Sequence, residues 1–151
     1  MSRSFTVRTK QDINLTLKAF IDRLQSLDFF DLTELKIWYE GNSVNSDSMG
    51  DLSLSIDGRD ICFEIDDTYI HVTYYITHYD DKLRKWWSIE SRALEGIGRS
   101  FYVAAASIIA DLTDGLVHSG DGAWHDPDTH RGTELWQEYL KTELDHWDRW
   151  F

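Results

Sequence analysis

The chain contains one cysteine, Cys62, and one proline, Pro127, in 151 residues. A single cysteine excludes an intrachain disulfide and fits a reducing compartment such as the cytoplasm. One proline leaves no room for a proline-rich linker, and there is no internal repeat or low-complexity stretch. Residues 1–151 therefore read as one domain, long enough for one hydrophobic core. No apolar run nears the roughly 20 residues that span a bilayer. The opening MSRSFTVRTK lacks the apolar segment of a signal peptide. Catalytic signatures are missing as well: no serine stands in a G-x-S-x-G elbow, and no glycine loop is spaced to cradle a phosphate. Cations are also scarce, with 15 Lys and Arg against 27 Asp and Glu, a net charge of −12. A nucleic-acid binder gains affinity by neutralising phosphates, so nucleic acid is not an expected partner.

The charge that is present is unevenly placed. Residues 1–40 balance to zero, and residues 41–81 carry one basic and nine acidic groups. Residues 82–110 are net +3, and residues 111–151 net −7. Two acidic blocks flank a mildly basic one. Two readings stand: such a surface serves ordinary solubility, or it is an acidic face that steers and selects a basic partner. Apolar residues make up 42% and aromatics 14%, including seven tryptophans, which excludes a disordered chain.

Periodicity predicts an α+β fold. The stretch FYVAAASIIADLTDGLVHSGDGAW, residues 101–124, is its centre. Phe101, Ala104, Ala105, Ile108, Ile109 and Leu112 recur at helical spacing, and Gly115 reads as a left-handed C-cap. Leu116 and Val117 then lead to a Gly-Asp-Gly turn, after which Trp124 re-enters the interior. Upstream, residues 5–8 read as an opening strand. A helix capped within residues 9–12 then shows Ile13, Leu17, Phe20, Ile21, Leu24 and Leu27 on one face. Residues 33–40 read as a strand and residues 41–51 as a polar loop. Alternation in residues 51–57, 61–65, 69–76 and 83–89, with turns at Asp57-Gly58, Asp66-Asp67 and Asp80-Asp81, predicts an antiparallel meander of about five strands. A terminal helix over residues 133–151 repeats Trp136, Leu140, Leu144, Trp147 and Phe151, with Leu135 and Tyr139 alongside. The N-terminal, central and C-terminal helices are expected mainly on one face of the sheet.

Few constellations suggest chemistry. His118, His125 and His130, with Asp121, Asp126 and Asp128, share one loop, but their spacing matches no zinc geometry. The same loop fails as a calcium site, since Arg131 stands where the glycine is needed. The expectation is no metal and no cofactor. The Asp66-Asp67 and Asp80-Asp81 pairs resemble catalytic carboxylates, yet aspartate is an ordinary turn residue beside alternating strands, and the pairs fall at opposite ends of one strand. Cys62 reads as packed and inert. Trp87, Trp124 and Trp147 fit core positions, while Trp86 and Trp150 are candidates for interface anchors.

The segment IADLTDGLVHSGDGAW resembles bacterial immunity proteins of polymorphic toxin systems, including those of contact-dependent inhibition. The resemblance rests on Thr113, Gly115, Ser119, Asp121, Gly122, Ala123 and Trp124, a helix stop, a turn and an indole, and nothing before Phe101 shares it. It implies a non-enzymatic cytoplasmic protein that neutralises a cognate toxin domain, with a basic toxin such as a nuclease suiting the acidic balance. The resemblance carries over no contact residue; from the two acidic blocks and the interface-anchor reading, the expected contacts are Asp66, Asp67, Asp80, Asp81, Trp86, Asp121, Asp126 and Asp128. A small metal-assisted enzyme using loop 118–130 and a generic protein-interaction domain are the alternatives. No membrane partner is expected.

Overall fold

A computed structural model of the chain describes residues 3–79, 81–92, 96–119 and 130–141. The predicted features at Asp80, residues 121–128 (Trp124 among them) and residues 142–151 lie outside these. Strand β1 (Arg3–Thr9) leads to helix α1 (Leu17–Ser26), a 3-10 turn (Leu32–Glu34), β2 (Lys36–Tyr39), β3 (Asn42–Val44), β4 (Asp60–Ile65), β5 (Thr68–Tyr79) and β6 (Lys82–Ser91). Helix α2 (Gly96–Thr113), β7 (Leu116–Ser119), β8 (His130–Arg131) and α3 (Gly132–Lys141) follow.

The strands form one antiparallel sheet in the order β3-β2-β4-β5-β6-β1-β7-β8, with the two-residue β8 at one edge. The α+β class and the meander from β4 to β6 are as predicted. The sheet is larger than the expected five strands, because β3, β7 and β8 join it and β1 inserts between β6 and β7. Helix α2 lies across the sheet, contacting β1, β4, β5, β6 and β7, and both α1 and α3 pack on α2. Ring stacking fixes this arrangement: Phe5 lies on Tyr102 at 4.6 Å, and Phe63 meets Phe20 of α1 at 4.8 Å and Phe101 of α2 at 5.6 Å. Every residue in 100–110 is buried, which is why α2 carries apolar and small side chains all round. No helix among the described residues is long and apolar enough to cross a membrane.

Several local expectations are corrected. Residues 51–57 alternate like a strand but form none. Their backbone is taken by the start of α1: Leu17 N–H donates to Leu52 O at 2.8 Å, Lys18 N–H to Gly50 O at 2.8 Å, and Leu54 N–H to Leu15 O at 2.7 Å. Together with Thr16, whose hydroxyl accepts from Ala19 N–H, they satisfy donors that a first helical turn leaves orphaned. The helix therefore starts after Thr16 rather than within residues 9–12, and Ile13 stays outside it. Asp57-Gly58 is not a hairpin turn, since only Gly58 has positive φ. Within the predicted polar loop, residues 42–44 pair as β3, because Glu40 and Gly41 both adopt positive φ and close a tight hairpin with β2.

The stop of α2 also differs in detail. Asp114, not Gly115, takes the left-handed conformation, and Gly115 N–H reaches back to Ala110 O at 2.8 Å. Glycine is needed at 115 for close approach: a Cβ there would lie 2.7 Å from Arg8 O. In α3 the buried face is Leu135, Trp136 and Tyr139, while Leu140, expected on that stripe, is 47% exposed. Two contacts set this rotation. Gly132 sits against the Ser107 carbonyl, and the hydroxyls of Tyr139 and Ser100 lie 2.7 Å apart.

Candidate functional site

The two faces of the sheet are unequal. One carries Phe5, Val7, Ile61, Phe63, Ile70, Val72, Trp87 and Ile89, all buried in the core. Residues alternating with these point the other way, and no described helix packs over them. Strand register brings Trp38, Cys62, His71 and Glu90 into one row across β2, β4, β5 and β6. Asp60, Thr73 and Ser88 form the next row, and Tyr75 and Trp86 stand opposite each other in a third.

A hydrogen-bonded network occupies the middle of this face. Both Asp60 carboxylate oxygens accept from His71 Nδ1, at 3.2 and 3.3 Å, and Oδ1 also accepts from the Thr73 hydroxyl at 3.2 Å. The other ring nitrogen, Nε2, faces Cys62 Sγ at 3.9 Å. To one side, Trp38 Nε1 donates to Glu64 Oε1 at 3.3 Å. On the other, the Ser88 hydroxyl donates to Glu90 Oε1 at 3.1 Å. Further along, Trp86 stacks on Tyr75 at 4.6 Å and donates from Nε1 to the Thr77 hydroxyl at 3.3 Å. Over His71 lies an open depression of about 530 Å³, lined by residues including Asp60, Asp67, Tyr69, Tyr75, Glu90 and Arg92.

Cys62, His71 and Asp60 follow the order nucleophile, base, orienting acid. Their electrostatics run against nucleophilic chemistry. Burial first, then the charges of Asp60 and Glu64, push the Cys62 thiol up to about 11, so it stays protonated at neutral pH. Strand β4 is also paired on both sides, which commits its backbone N–H groups to the two ladders rather than to an oxyanion. The face presents half-buried Trp38, Tyr75 and Trp86 and exposed Tyr69, with the carboxylates of Asp60 and Glu64 half-buried between them and that of Glu90 exposed.

The structure separates the residues predicted to contact a partner. Asp66 and Asp67 form the exposed β4–β5 turn, at φ 50 and 58, beside the depression. Asp81 stands in the β5–β6 turn, beyond the twelve residues of β5, about 40 Å of extended strand. Trp86 lies on the face away from the described helices, half-buried. Asp80, Asp121, Asp126 and Asp128 lie outside the described residues. The network of Asp60, His71 and Thr73, with Glu90 opposite His71, was missed by sequence reasoning. Its signal was the non-core side of the alternation in residues 61–76, where Cys62, Glu64, Tyr69, His71, Thr73 and Tyr75 recur at period two. Of the histidine loop, His118 belongs to β7, with Thr6 of β1 as its cross-strand partner. Among the described residues no three potential ligands cluster to hold a metal. Compared with known protein families, curated proteins and solved structures, the chain matches none.

Proposed function

We propose that the chain is an immunity protein: it binds a cognate toxin effector domain in the cytoplasm and blocks it, and the toxin domain is basic, as a nuclease would be. The observation that carries this reading is the sheet face over which no helix among the described residues packs. It presents Trp38, Tyr69, Tyr75 and Trp86 among Asp60, Glu64 and Glu90, with the Asp66-Asp67 turn at its margin. Aromatic side chains supply contact area at low entropic cost, and surrounding carboxylates select a basic partner and speed encounter. The fully protonated Cys62 and the paired backbone around it favour binding over catalysis. The resemblance around Thr113 and Gly115 points the same way.

Co-expression tests the reading. A toxin domain encoded beside this gene should kill a host cell alone and spare it when the chain is present, and the two purified proteins should elute as one complex. Neither protection nor a complex with the neighbouring gene product would refute the proposal.

A further inference from the structure

We infer that the depression over His71 is a receptor for an arginine side chain of the partner; the inference rests on the binding role proposed above and names what this part of the face takes. Its centre is the cross-strand pair His71 and Glu90, with the Asp60 carboxylate fixed alongside by His71 and Thr73. Two carboxylates thus flank β5 from β4 and β6, both lining the depression. Tyr69 and Tyr75 rise from the same face of β5, one at each end of the depression.

This combination discriminates among ligands. An anion would meet Asp60, Asp67 and Glu90 against Arg92, the one permanent cation of the lining among the described residues. A neutral apolar group would bury carboxylates without satisfying them, which is costly. A guanidinium suits both features: its planar fork donates in parallel to a carboxylate, and its flat, weakly hydrated face stacks on a phenol ring. A lysine ammonium would satisfy the charge but not the stacking geometry. His71 is itself engaged through Nδ1 by the Asp60 carboxylate, which leaves Glu90 on the far side of β5 free of it.

The test uses the full-length, isotopically labelled chain and three probes: N-acetyl-argininamide, its lysine analogue and its uncharged isostere N-acetyl-citrullinamide. The arginine probe should shift backbone amides of residues 69–75 and 88–91 in a saturable way, with dissociation in the millimolar range expected of a single side chain. The citrulline probe should do nothing at the same concentration, and the lysine probe should bind more weakly. Glu90→Gln, an exposed and nearly isosteric change, should weaken the arginine probe by about tenfold, one charge-assisted hydrogen bond. Equal shifts with citrulline, or shifts scattered over remote carboxylates such as Asp22 and Asp47 and indifferent to Glu90→Gln, would overturn the inference. If the probe fails while the chain still protects cells from the toxin, the arginine receptor alone is wrong. If protection fails too, the binding role is wrong with it.

Discussion

Cys62 and His71 stand directly opposite each other on β4 and β5, with the thiol sulfur 3.9 Å from Nε2 and Nδ1 held by Asp60. Geometry alone would nominate a nucleophile and its base. The charges decide otherwise, because a thiolate at Cys62 would face Asp60 and Glu64 from a buried position. With the thiol at about 11, roughly one molecule in a thousand is ionised at pH 8. Iodoacetamide should therefore alkylate the folded protein far more slowly than the urea-unfolded chain, with the rate climbing only above pH 10. Rapid alkylation at pH 7 that is slowed by His71→Ala would show an activated thiol instead.

The same thiol links folding to alkaline pH. Its value is raised from 9.0 to about 11, so the native state holds this proton more tightly than the unfolded chain. The stabilising contribution is complete below pH 9 and is lost as pH rises through 11. Tyr74 and Tyr139, both raised chiefly by burial, act in the same sense above pH 10. The melting temperature should fall from pH 9 to 11, and Cys62→Ala should make that fall shallower. An unchanged slope in the variant would show that the thiol titrates alike in both states.

Asp111 joins the three helices. From the last turn of α2 its Oδ1 accepts from Thr133 N–H and the Thr133 hydroxyl, both at 2.9 Å, while Arg23 of α1 donates to Oδ2 at 3.1 Å. The carboxylate thereby caps the start of α3 from outside that helix. Asp111→Ala should cost about 1–2 kcal/mol, the scale of a lost helix cap, in urea denaturation. Arg23→Ala should cost less, because an exposed ion pair contributes about 0–1 kcal/mol. Equal losses would mean that the ion pair, not the cap, matters.

The Asp66-Asp67 turn allows charge to be removed without disturbing the fold. Both residues have positive φ, a conformation asparagine tolerates nearly as well as aspartate and lysine does not. The double change to asparagine should leave the melting temperature almost unmoved. Given the toxin domain, it should slow association more than it speeds dissociation, and added salt should do likewise, since exposed charges act over about 8–10 Å at physiological ionic strength. Association indifferent to both would remove this turn from the interface.

Strands β4, β5 and β6 were legible from alternation alone, since one buried face forces a period of two on any half-covered strand. Helix α2 was legible because a helix buried on all sides has no polar stripe to blur it. The candidate site was only half visible. Residues such as His71 and Tyr75 could be assigned to the non-core side, but alternation does not say which side chain of the next strand lies opposite. That register depends on the two-residue turn at Asp66 and Asp67 and the partner strands beyond it, and a slip by one residue would turn every side chain over.

By itself the sequence determined the fold class, the acidic surplus and the core faces of β4 and α2, all of which follow from local composition and periodicity. Tertiary structure decided what the alternating residues 51–57 would pair with, because the orphaned donors of α1 outcompeted a strand for the same backbone. It also decided that Asp60, His71 and Glu90, which are 30 residues apart at the extremes, converge on one open surface. Strand order and register are properties of the assembled sheet, and no stretch of chain carries them alone.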